Sequence, residues 1–248
     1  MRALILGGTG EANRLADAAA RLRLNAIYSY AGRTEAPLTQ SLPTRIGGFG
    51  GADGLADYIR TERITHLVDA THPFAAEISR NAVAACAATG SALIALERAP
   101  WQRSPRDNWI EADNVASAAA ALPEQGARVF LAIGRQHLAP FAARPQHAYT
   151  LRFADAPEGA PPLRQASVIV SRGPFTLAGD LDLMRSREIE WIVARNAGGT
   201  GAFAKIQAAR QLGLPVVMIV RPVLPARQST ESIDDVLVFL GHDAHLGA

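Results

Sequence analysis

The chain has 248 residues, of which 48% are hydrophobic and 19% charged, and its formal net charge is +2. That is enough apolar material for one large domain or two ordinary ones, and it excludes a disordered or low-complexity chain. One cysteine, Cys86, excludes an internal disulfide framework and a cysteine-based zinc site.

No stretch approaches the ~20 uncharged apolar residues of a membrane span. The opening residues Met1–Gly7 carry too short an apolar run for a signal peptide, so a cytoplasmic protein is expected. All 25 basic residues except Lys205 are arginines. They form no basic run and do not interleave with aromatics, so nucleic acid is not an expected partner. The histidines show no metal spacing, and no metal is expected.

Ala3–Leu6 reads as a short buried strand, followed by Gly7-Gly8-Thr9-Gly10 and a helix to about Leu22. Further strands fit at Ala26–Tyr30, Thr44–Ile46, Leu67–Asp69 and Ala92–Leu96, with helices to about Arg60 and Thr89 between them. Arg98–Asn108, with Pro100 and Pro105, reads as a crossing segment. A second set of strands fits at Arg128–Ile133, Ala148–Leu151, Ser167–Val170, Trp191–Ala194 and Val216–Val220. Its helices fit at Arg135–Phe141, Phe175–Arg185 and Gly201–Leu212. Strands alternating with helices predict an α/β fold of two Rossmann-like halves, each with a parallel sheet, and a cleft between them. The expected domains are residues 1–100, which would bind the cofactor, and residues 101–248, which would face the substrate. The pattern leaves open whether the last strand of one half pairs with the other half's sheet.

Gly7, Gly8, Thr9, Gly10 and Glu11 follow a strand and open a helix. Glycines there let the backbone approach a phosphate, and the helix N-terminus offers unpaired N–H groups. The match to the dinucleotide fingerprint is imperfect, because Ala12-Asn13 stands where a third glycine is expected. At the end of the second strand Arg33 occupies the region where an NAD site has an acid, and a cation there suits the 2′-phosphate of NADP. In a doubly wound order 3-2-1-4-5, the first and fourth strands are neighbours. Thr71, His72, Pro73 and Phe74 should then face the glycine loop, near a nicotinamide. His72 could donate a proton, and Pro73 suits the first position of a helix. Gly47–Gly51 is rich enough in glycine to cradle a ligand, or is simply a flexible loop.

In the second half, Asn196, Gly198, Gly199 and Lys205 combine a glycine-rich anion-type loop with the single lysine. Arg135, Arg172 with Gly173 and Pro174, and Arg221 also stand at strand ends. Parallel strands would gather them at one edge, which predicts a polyanionic ligand.

These residues resemble the precorrin-6A reductase family of cobalamin biosynthesis. The resemblance rests on Leu6–Glu11, Ala31-Gly32-Arg33, Gly47–Gly51, Asp69–Phe74, Gly173–Phe175, and the Arg195–Gly199 to Lys205 stretch with Arg221-Pro222. One departure is Arg195, where lysine commonly precedes the asparagine. The resemblance implies an NADPH-dependent reductase that reduces one double bond of precorrin-6A to give precorrin-6B. Its substrate is a tetrapyrrole with many carboxylates, and other pathway enzymes are implied as partners. The implied reaction needs a hydride at one carbon and a proton at its neighbour, the proton coming from water, His72 or Lys205. An NADP-dependent imine reductase and a non-catalytic tetrapyrrole binder are the alternative readings.

Overall fold

The computed structural model describes residues 1–31 and 39–242. Strand β1 (Ala3–Leu6) leads through the glycine turn into α1 (Gly10–Arg21). It is followed by β2 (Ala26–Tyr30), β3 (Thr44–Ile46), α2 (Gly51–Thr61), β4 (His66–Asp69), α3 (Ala76–Thr89) and β5 (Ala92–Leu96). β1 is a continuous apolar run because a parallel strand is covered on both faces. Ala3 and Ile5 turn toward α1, where Leu15, Ala16 and Ala19 meet them. Leu4 and Leu6 turn the other way, toward Leu55 and Ile59 of α2 and Ala82 and Ala85 of α3. Cys86 is a free, buried thiol in that second layer, and burial pushes its pKa up to about 11.

The next stretch holds β6 (Trp109–Ala112), α4 (Val115–Ala120), β7 (Arg128–Ala132), α5 (Ala139–Ala142), β8 (Ala148–Phe153) and β9 (Ala166–Val170). It closes with α6 (Leu177–Ser186), β10 (Trp191–Arg195), α7 (Ala204–Leu212) and β11 (Val216–Ile219). Its strands pair in parallel in the order β6-β11-β10-β7-β8-β9. Phe130, Ile192, Val216 and Met218 pack against Met184 of α6 and Ile206 and Ala209 of α7. The helix expected over 135–141 is instead a 3-10 turn at Arg135–His137 and the separate α5. Pro140 is the reason: without an N–H it fits only the first turn of a helix.

Asp107 anchors this sheet's edge. Arg210 of α7 grips its carboxylate through two bonds of 2.8 and 3.0 Å, and the Ser104 N–H donates at 2.7 Å. Burial alone would raise the Asp107 carboxyl, but the hydrogen bonds from Arg210 and Ser104 outweigh it and hold the group below the usual carboxylate range. A pKa lowered by folding contributes stability above the unfolded value, and that stability is lost as pH falls through the folded one. The wild-type protein should therefore lose stability below about pH 4. Asp107→Asn should flatten that acid limb in denaturant titrations. An acid limb unchanged by the substitution would remove Asp107 as its source.

The chain then returns to the first sheet. Residues 1–99 and those from Pro222 onward form one compact unit, and Pro100–Arg221 form the other. β12 (Ser229–Thr230) pairs with β5, and α8 (Ile233–Phe239) lays Val236 and Leu237 on the face that carries α1. This corrects the expected division, in which everything after residue 100 belonged to the second half. The first sheet is all parallel in the order β12-β5-β4-β1-β2-β3. Each sheet thus fills its sixth place with a strand from outside the run of five: β12 from behind and β6 from ahead. Among the described residues, no helix is long and apolar enough to cross a membrane.

Candidate functional site

In the first unit β1 and β4 are neighbours, with Leu6 opposite Asp69. The segments that follow them therefore open at the same sheet edge, which is the switch point of a doubly wound sheet. Thr9 ties them together. Its hydroxyl donates to the Ala70 carbonyl at 2.8 Å and accepts from the Ala12 N–H at 3.1 Å, which caps α1. Gly7 lies directly on the ring of Tyr28, so a Cβ there would overlap the aromatic carbons. Gly8 adopts φ +109 and donates its N–H to the Tyr28 hydroxyl at 2.9 Å. The Gly10 N–H begins α1, where the helix itself provides no acceptor.

Glu11 bonds Arg98 at 2.8 Å and Arg14 at 3.4 Å. Burial raises its carboxyl, but its own backbone N–H and Arg98 outweigh burial and bring it below the usual value. Glu11 is therefore an ion-paired acid at the mouth of the loop. Arg33 lies outside the described residues.

β4 ends on Asp69, whose Oδ1 accepts from both the N–H (3.2 Å) and the hydroxyl (2.6 Å) of Thr71. The Ala75 N–H then donates to the His72 carbonyl at 2.7 Å. Pro73 and Phe74 become the central pair of a tight turn, which suits the fixed φ of proline. The expectation that Pro73 starts the helix is corrected, since α3 begins at Ala76. His72 Nδ1 accepts from the Phe74 N–H at 3.2 Å, which leaves Nε2 to carry the proton of the neutral ring. Behind this turn sits Arg227 from the returning segment. It is 3.7 Å from Asp69 and 3.1 Å from Glu97 and nearly buried. Asp69 was read from sequence only as the first residue of the Asp69–Phe74 run, with no role of its own, and Arg227 was not singled out. An acid that ends a buried strand was the available signal for the first, and the second had none.

In the second unit, β7 and β10 hold the equivalent switch point, with Ala132 opposite Ala194. Asn196 grips the backbone of Trp101, accepting its N–H at 2.7 Å and donating to its carbonyl at 2.9 Å. The Trp101 indole donates to the Gly199 carbonyl at 2.6 Å. Arg221 donates to the carbonyls of Asn196 (3.0 Å) and Ala197 (3.1 Å). Lys205, 6% exposed, donates to the Ala202 carbonyl at 2.6 Å, and its ammonium lies 5.0 Å from the Trp101 ring. Gly198 and Gly199 both take positive φ, which lets the loop fold back over these donors.

The structure thus brings together Asn196, Gly198, Gly199, Lys205 and Arg221. Arg135 is exposed at the end of the adjacent β7. Arg172 lies farther along the same edge, after β9, where it is exposed and paired with Asp155. Gly173 and Pro174 follow it through a cis peptide bond. Beneath them Arg152 bonds the buried Asp180 and stacks 3.7 Å from the centre of Phe175. Trp101 and Arg152 were missed in the sequence, the first because it lies in a proline-rich crossing segment. Among the described residues, no group of three or more His, Cys, Asp or Glu side chains could hold a metal ion.

Known proteins match this arrangement along nearly its whole length. A family model described as precorrin-6x reductase CbiJ/CobK matches residues 2–241. A precorrin-6A reductase of Rhodobacter capsulatus is 56% identical over 96% of this chain and 95% of its own. One from Sinorhizobium sp is 47% identical over 97% and 93%. A cobalt-precorrin-6A reductase of Priestia megaterium is 29% identical over 88% and 90%. A solved structure of a CobK precorrin-6A reductase superposes with a TM-score of 0.92 at 56% identity, covering 97% of this chain and 96% of that one.

Proposed function

This chain belongs to the precorrin-6x reductase family, and on that premise we propose that it reduces one double bond of precorrin-6A to give precorrin-6B, with NADPH as reductant. It is an oxidoreductase of cobalamin biosynthesis that needs a nicotinamide cofactor. The observation that carries the cofactor assignment is the Thr9–Ala70 bond, which joins the glycine loop to the strand end that bears Thr71–Phe74.

The first unit's residues fit a dinucleotide. Gly7 has no room for a side chain, and the Gly10 N–H stands at a helix start, where an anion is favoured. In our reading Gly7–Glu11 hold the pyrophosphate, Thr71, His72 and Pro73 border the nicotinamide, and Arg33 takes the 2′-phosphate. When bound, the reduced nicotinamide supplies the hydride; the protein fixes distance and angle. His72 is the better-placed proton donor, because its turn leaves Nε2–H directed away from the Phe74 bond. Lys205 fits a positioning role, since its ammonium is nearly buried and bonded within its own loop.

The second unit receives the macrocycle in this reading. Arg135 and Arg172 meet its carboxylates, and Gly173, Pro174, Asn196, Gly198 and Gly199 shape the floor that Arg221 and Lys205 hold. We take the ring to be metal-free. Support comes from identity: relatives named for precorrin-6A reach 40–56%, and those named for the cobalt form 23–29%. We place the reaction in the cytoplasm.

Arg33→Ala tests the choice of cofactor. It should raise the KM for NADPH by ~1.5–3 kcal/mol in free-energy terms and leave the KM for NADH nearly unchanged. Equal effects on both cofactors would remove Arg33 from the phosphate site.

A further inference from the structure

We propose that Tyr28 is a positioning residue for the cofactor. Its hydroxyl, bridging the Gly8 N–H and the Asn13 side chain, sets the path of the glycine loop and does the work that a third glycine does in other dinucleotide sites. This rests on the reading that the first unit holds the dinucleotide.

The fingerprint's third glycine lets the helix pack closely on the strand. Counting from Gly8 and Gly10, that place is Asn13. Tyr28 lies on β2 with no exposed surface, its ring under Gly7. Its hydroxyl accepts from the Gly8 N–H at 2.9 Å and donates to Asn13 Oδ1 at 2.7 Å. Gln40 donates to the same Oδ1 at 3.3 Å. Helix α1 and strand β2 are therefore joined by a side-chain bridge at the position where the fingerprint carries its third glycine. The bridge also uses the Gly8 N–H, so that N–H is turned to Tyr28, and the helix start at Gly10 is left to meet an anion. Burial pushes the Tyr28 hydroxyl well above its ordinary pKa, so it remains a donor throughout the neutral range.

The test is calorimetric titration of NADPH and of NADH, without substrate, into wild type, Tyr28→Phe, Asn13→Ala and the double variant. Tyr28→Phe keeps the ring that fills the space under Gly7 and removes only the bridge. It should weaken both cofactors by one common factor of about five- to twenty-fold, the worth of a buried hydrogen bond. Asn13→Ala should do the same, and the double variant should be no weaker than the weaker single, because both remove one bridge. At saturating NADPH, kcat should stay within about two-fold of wild type, because the bridge acts on binding and not on the reacting atoms.

Wild-type affinity in Tyr28→Phe, or multiplying effects in the double variant, would overturn the proposal. Loss confined to NADPH would also overturn it, since that places Tyr28 at the 2′-phosphate. Gly8→Val separates the layers of the argument. If wild type binds NADPH and Gly8→Val binds equally well, the glycine loop is not the cofactor site and the underlying reading falls. If Tyr28→Phe fails to fold, Asn13→Ala carries the test alone.

Discussion

Replacing Gly7 with alanine is expected to destabilise the first unit by about 1–3 kcal/mol and to abolish cofactor binding. The added Cβ would sit within the aromatic carbons of Tyr28, whose ring is fully buried between β1 and the core around α1. One effect opposes this. Alanine lowers the entropy of the unfolded chain, which elsewhere stabilises by about 0.4–1 kcal/mol. The steric term wins, because a close-packed interior yields only by displacing the ring or the loop. Either shift breaks the Tyr28–Gly8 bond and moves the helix start that we propose faces the phosphates. Thermal unfolding with and without NADPH measures both effects. A Gly7→Ala protein that melts like wild type and binds NADPH normally would show that the loop can move aside at no cost, contrary to the packing described.

Arg152→Met is expected to destabilise the second unit by about 3–5 kcal/mol, because it leaves Asp180 buried without its cation. Side-chain exposure is 10% for Arg152 and 1% for Asp180. The guanidinium also stacks on Phe175, so the substitution loosens the turn that carries Gly173 and Pro174. The start of α6 offers Asp180 partial compensation, as a carboxylate in the first turn of a helix is favoured. The exposed pair Arg172–Asp155 is the internal control. Its side chains are 61% and 59% exposed, and Arg172→Ala should cost under about 1 kcal/mol. Replacing both members of the buried pair with apolar residues should recover much of the loss. Denaturant unfolding of the two single variants and the double variant decides the matter. Equal small effects from Arg152→Met and Arg172→Ala would mean that burial does not set the strength of these pairs.

The parts of the fold that were legible in sequence are those with local signatures. β1 and β5 are unbroken apolar runs, β2 is interrupted only by Ser29, and Thr9 and Gly90 mark a helix start and a helix end. β6 and β12 left no such mark. β6 carries Glu111 and exposes its middle, and β12 is two polar residues long. Both are edge strands: β12 returns to its sheet from far along the chain, and β6, just ahead of β7, pairs with the distant β11, so neither pairing has a local pattern. The domain division failed for the same reason.

At the candidate site, sequence reasoning named strand ends but not the side-chain directions. Asn196, Lys205 and Arg221 sit where a polyanion was expected, yet their polar atoms bond loop carbonyls and Trp101. The absent third glycine looked like a weakness of the motif. In the structure Asn13 occupies that place and accepts from Tyr28.

The central claim is nicotinamide-driven reduction of a tetrapyrrole, and one measurement tests it most directly. Purified protein is mixed with precorrin-6A and NADPH, and the near-ultraviolet band of the reduced nicotinamide is followed together with the visible spectrum of the macrocycle. NADPH oxidation in step with conversion of the tetrapyrrole, and faster than with NADH, is the predicted result. A shift in the tetrapyrrole spectrum without oxidation of either nicotinamide would contradict it and would leave a binding protein in place of a reductase.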